Sequence, residues 1–144
     1  MKYLKKFKIF EYKTGPKIKT RWSLNDAIIT LYYEKFGFRK LGVDDEEIFI
    51  NKYIGSTLDS FKMQCLNVKY LLNGEEGLSN ASTAQRNAIE QYGDYSESEL
   101  KDVIEDILDS MSEEEVAKNI ERVESNIQWK EEEQDRKLKQ ARDE

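Results

Sequence analysis

A chain of 144 residues with 36% charged content, a net charge of −6, one proline and no histidine excludes a good deal at once. Histidine-based general-base, nucleophile-activating and zinc chemistry are absent, and a single cysteine, Cys65, forbids both an intramolecular disulfide and a Cys-only zinc site. The carboxylates fall in helical runs such as Glu113 to Glu115 and Glu131 to Glu133, which read as solvated faces, so a non-enzymatic protein with no cofactor and no metal is expected.

The length suits one domain with an extension. The N-terminal Met-Lys-Tyr-Leu-Lys-Lys-Phe has no apolar run long enough for a signal peptide, and no segment approaches a membrane span. The expectation is a cytoplasmic protein with no membrane partner. Charge is polarised along the chain: residues 1 to 40 carry a net +8, residues 41 to 80 a net −4 and residues 81 to 144 a net −10. A basic front and an acidic rear steer a molecule onto a polyanion by one end or onto a basic protein by the other.

Lys6 to Thr14 alternates Phe7 and Ile9 with charged residues, stops at Gly15-Pro16 and resumes as Lys17-Ile18-Lys19-Thr20, which predicts a β-hairpin or extended arm. A first helix follows the capping pair Ser23 and Asp26 and runs from Leu24 to Phe36, with Leu24, Ala27, Ile28 and Leu31 as its buried stripe and Trp22 as a staple. A second, capped by Asp44 or Asp45, ends at Gly55 and buries Ile50, Tyr53 and Ile54. In the third, about residues 57 to 72, Leu58, Phe61, Cys65, Val68 and Leu72 recur at steps of three and four, which marks a core stripe. Three helices with a glycine turn before the third have the layout of a helix-turn-helix or Myb-like unit.

Three more helices are predicted. The fourth spans about Thr83 to Tyr92. The fifth starts at the capping pair Ser96 and Glu99 and buries Leu100, Val103, Ile104, Ile107, Leu108 and Met111, leaving Glu105, Asp106 and Asp109 outside. The last begins at Ser112 and Glu115, and its stripe of Val116, Ile120, Val123 and Ile127 suits either homodimerisation or docking onto the fifth helix. Residues 130 to 144 read as a solvated helical tail. The fold is thus mainly α: a basic arm over 1–21, a helical domain over 22–111 and a long charged helix over 112–144.

Several stretches carry a resemblance: Trp22-Ser23 with Leu31-Tyr32, Ile54-Gly55-Ser56-Thr57, Ser60 through Asn67, Gly77-Leu78-Ser79-Asn80-Ala81-Ser82, and Arg86. Over residues 22 to 92 the chain resembles the helical region that precedes the HNH nuclease domain in restriction endonucleases. The resemblance implies a helical DNA-recognition module, here without a nuclease, since the HNH site requires histidine. Gln64 and Ser56 stand where that module tends to carry lysine and arginine.

Two functional readings follow. In the first, a restriction-type module binds duplex DNA, contacting phosphates with Lys17, Lys19, Arg21 and Lys62 and reading bases through Ser60, Gln64 and Asn67. Its third helix presents Asp59, Met63, Leu66 and Tyr70 outwards, which is unusual for a groove reader. In the second, an acidic phage or mobile-element protein inhibits a nucleic-acid-directed host defence enzyme, of anti-restriction or anti-CRISPR type, by binding a basic nucleic-acid-binding protein. Glu105, Asp106, Asp109 and Trp129 are its candidate contacts.

Overall fold

The structure is a computed structural model, and the residues it describes are 19, 21–74 and 82–143. The predicted hairpin apart from Lys19, with Lys17 among the residues left out, and the Gly77–Ala81 stretch lie outside the described residues. Among those described, six α-helices and one 3-10 turn, Arg39–Leu41, occur, and no strand. The helices are α1 Leu24–Phe36, α2 Glu46–Tyr53, α3 Leu58–Leu72, α4 Thr83–Tyr92, α5 Glu97–Ser110 and α6 Glu113–Asp143.

Local chemistry sets each helix start. Ser23 Oγ accepts from the Asp26 N–H at 3.1 Å while Asp26 Oδ2 accepts from the Ser23 N–H at 2.9 Å, a reciprocal box that satisfies two otherwise orphaned donors. Asp45, Thr57, Ser82, Ser96 and Ser112 cap the later helices in the same way, each accepting from the N–H three residues on.

The core is assembled around α1, which packs against α3, α4 and α5. Contact on several sides explains a departure from the predicted stripe. Every residue from Asp26 to Tyr32 is buried, including Ile29, Thr30 and Tyr32, whereas Leu24 in the first turn is 37% exposed. In α3 the stripe holds at its centre, where Phe61, Cys65 and Val68 are buried, and fades at its ends, where Leu58 is half-buried and Leu72 exposed. Phe61 sits among Tyr33 and Phe38 with ring centroids 5.3 and 5.9 Å away, and Phe49 stacks on Phe38 at 4.8 Å. Fully burying each such ring contributes about 1.5–3 kcal/mol. Lys35 closes the other end of α1 by donating to the carbonyls of Gly93 and Tyr95 at 2.6 and 3.0 Å.

The last helix packs chiefly on α2 rather than on α5. There Asn119 Nδ2 donates to the Lys52 carbonyl at 2.9 Å and Arg122 reaches the Gly55 carbonyl at 3.5 Å. Along the expected stripe, Val116 and Ile120 are half-buried, Val123 is buried, and Ile127 is 44% exposed. The helix runs on without interruption for 31 residues, about 46 Å at 1.5 Å per residue. Residues 134–142 are all exposed. No described helix is long and apolar enough to cross a membrane.

Candidate functional site

Of the three residues expected to read bases on α3, Gln64 and Asn67 are already engaged inside the chain and Ser60 is not. Gln85, itself almost fully buried, donates through Nε2 to Gln64 Oε1 at 2.9 Å and to the Gln64 carbonyl at 3.3 Å. Asn67 Nδ2 points at the same Gln64 oxygen, at 3.5 Å. Gln64 therefore joins α3 to α4, and Asn67 supports it from within α3. Ser60 is exposed in the first turn, with its N–H capped by Thr57. What α3 presents to solvent is Asp59, Lys62, Met63, Leu66 and Lys69, with Met63 64% and Leu66 44% exposed. Lys62 and Lys69 thus flank two apolar side chains and an aspartate, where base-reading helices more often carry arginine, asparagine or glutamine.

The phosphate-contact set is divided. Lys19 Nζ lies 3.0 Å from Asp26 Oδ2, with both side chains largely buried, and stands 5.5 Å over the Trp22 ring. That lysine is thereby matched by an internal carboxylate. Arg21 is exposed, and beside it α6 delivers two cations that the sequence did not suggest, Lys118 and Arg122.

On α5, the separation of faces follows the predicted pattern. Leu100, Ile104 and Ile107 are buried, and Asp102, Glu105, Asp106 and Asp109 are exposed. Over that stretch the helix rises about 10 Å, so the four carboxylates form a ridge on a rigid, core-anchored support. The nearest base is Lys101, whose Nζ is 4.0 Å from Glu105 Oε1 in a partly exposed pair that holds little charge in place. At the start of the same helix, hydrogen bonds from the backbone and then the hydroxyl of Ser96 hold the Glu99 carboxyl below its ordinary value. Glu113 and Glu114, also exposed, extend the acidic surface around the α5–α6 corner.

Trp129 is half-buried, and its indole Nε1 is enclosed without a hydrogen-bond partner. The ring is thus only partly open to a partner. No group of three or more cysteine or acidic side chains is placed to hold a metal among the described residues.

Comparison with known proteins finds no family model, no curated protein and no solved structure that matches this chain.

Gln85 and Arg122 carry structural weight that the sequence analysis did not assign to them. Gln85 could have been found, because Ser82-Thr-Ala-Gln85 is a capping-box pattern. Arg122 could not, since only the docking of α6 on α2 brings it to Gly55 and the end of the N-terminal arm.

Proposed function

We propose that this chain is a non-enzymatic protein-binding factor whose α5 ridge seats in the basic surface of a nucleic-acid-binding partner. A phage or mobile-element antagonist of a host defence enzyme would act in this way. The observation that carries the reading is the row Asp102, Glu105, Asp106 and Asp109, exposed together on a helix whose opposite face is fixed in the core. Carboxylates held on a preorganised element meet a cationic channel without the entropy loss of ordering a flexible chain. Residues 19 to 144 carry a net −11, while residues 1 to 18 carry a net +5. Repulsion of duplex DNA by most of the chain follows. Exposed Met63 and Leu66 add an apolar surface suited to a protein rather than to a groove.

The second reading, a DNA-binding module of restriction type without its nuclease, draws on the resemblance over residues 22 to 92. It is also favoured by the meeting of Arg21 with Lys118 and Arg122. In this reading a helix-turn-helix arrangement of α1 to α3 would lie along the duplex, with phosphate contacts dominating over base contacts.

Duplex DNA titrated across a salt series separates the two. The protein-binding reading expects no association tighter than about 10⁻⁴ M near physiological salt, the weak end of non-specific affinity. Tighter binding that weakens steeply with salt, and less steeply after neutralisation of Lys17, Lys19, Arg21 and Lys62, would establish the second reading instead.

A further inference from the structure

Between the start of α1, the end of α2, the end of α5 and the first turns of α6 lies an open cleft of about 300 Å³. Its chemistry is divided into two parts. The floor is apolar: Ile29, Ile54 and Ile107 back it but are themselves almost wholly covered, and half-buried Tyr53 and Met111 supply the surface that a ligand meets. The rim is cationic: Arg21 comes from the chain leading into α1, and Lys118 and Arg122 from successive turns of α6. Lys19 and Asp26 also reach the cleft but form an ion pair with each other at 3.0 Å. Glu115 is the one remaining carboxylate, which leaves the rim at a net +2 on a chain of net −6.

The three rim cations are largely uncommitted. Arg21 is exposed and makes no ion pair among the described residues. Lys118 has a single carboxylate partner, Glu114 at 3.5 Å, in a pair that is more than two-thirds exposed and so loosely held. Arg122 spends one nitrogen on the Gly55 carbonyl, at the long distance of 3.5 Å, and retains the rest of its guanidinium fork.

We propose that this cleft binds an organic phosphomonoester with a flat apolar body, about the size of a mononucleotide. A phosphomonoester carries about −1.5 to −2 near neutral pH, which matches the rim, whereas a lone carboxylate would leave one positive charge unanswered. Two arginine forks suit the multiple oxygens of a phosphate. The apolar floor takes the body of the ligand out of water, and a space of about 300 Å³ stands at the small end of ligand-binding cavities. The Asn25 side chain, also on the lining, offers a donor and an acceptor to the polar edge of a base. None of Glu105, Asp106 and Asp109 takes part, so the site stands apart from the acidic ridge.

A free nucleotide and the 5′-phosphorylated end of a nucleic-acid strand present the same chemistry. Isothermal titration of the full chain with AMP, inorganic phosphate and a 5′-phosphorylated dinucleotide tests the site and distinguishes the sources. AMP is expected to bind at a single site at least about tenfold tighter than inorganic phosphate, which cannot use the floor. The double variant Arg21→Ala/Lys118→Ala removes two exposed side chains, and circular dichroism checks that its fold is retained. It should bind AMP about tenfold or more weakly, since each charge-assisted contact is worth roughly that factor. A dinucleotide that binds as well as AMP identifies the strand end as the source, and a weaker one identifies the free nucleotide; either result supports the site. The absence of saturable AMP binding up to millimolar concentration overturns it, as does affinity no better than that of inorganic phosphate or affinity unchanged in the folded double variant.

Discussion

Asn119 donates its side-chain amide to the main-chain carbonyl of Lys52 at 2.9 Å, a bond that spans 67 positions of sequence and seats α6 on the end of α2. Immediately beyond it the chain turns through Gly55 at φ +77°, so close to α6 that a Cβ there would collide with the side chains of Asn119 and Arg122. Two requirements thus fall on one glycine: a left-handed backbone and no side chain.

Gly55→Ala should therefore destabilise the fold by about 1–3 kcal/mol, through the unfavourable backbone conformation and displacement of α6 together. Chemical denaturation reads the loss, and amide exchange in α6 should speed up more than exchange in α1. An unchanged denaturation midpoint would mean that α6 is not seated on this turn.

Burial along α3 ranks its core substitutions. Phe61 is fully buried within a ring cluster, so Phe61→Ala should cost about 3–5 kcal/mol. Leu58 is half-buried at the first turn, and Leu58→Ala should cost roughly half as much or less. Equilibrium urea unfolding of the two variants decides the order; a larger loss at Leu58 would reverse the orientation given to α3.

Alkaline pH should weaken the fold through buried acids. Burial pushes the Cys65 thiol from 9.0 up to about 12. Burial, and then the nearby Glu97 carboxylate, pushes the Tyr32 phenol from 10.0 to about 12. Both groups keep their protons in the folded chain at a pH where the unfolded chain releases them. The stability they contribute is whole below about pH 9 and is lost as pH rises towards about 12. Denaturation midpoints at about pH 8 and about pH 10.5 should fall for the wild type and fall less for Cys65→Ala. Equal declines in the two proteins would assign the alkaline loss to other groups.

Helix positions were legible in the sequence because their signals are local. Ser23 with Asp26 and Ser96 with Glu99 mark starts by capping chemistry, and Leu100, Ile104 and Ile107 mark a face by period. Partners were less legible. Periodicity in α6 announced an apolar stripe but not that α2 would receive it, because that depends on Asn119 and Arg122 meeting main-chain carbonyls at Lys52 and Gly55. Gln64 and Asn67 looked like base readers by residue type, yet a buried Gln85 from 21 positions further on engages Gln64. A polar side chain on a helix face does not reveal in sequence whether solvent, ligand or another helix meets it. The acidic face of α5 needed no such long-range information, since burying one side of an amphipathic helix fixes what the other side presents.

The wild-type chain and a Glu105→Lys/Asp106→Lys/Asp109→Lys variant, both shown to be folded, would be immobilised and exposed to host extract at physiological salt with and without excess duplex DNA in solution. The wild type should retain a basic nucleic-acid-binding protein, the added DNA should displace it by competing for the same cationic surface, and the charge-reversed variant should retain none of it. Equal retention by the two chains, or retention indifferent to the competing DNA, would contradict the assignment of the α5 ridge as the binding surface.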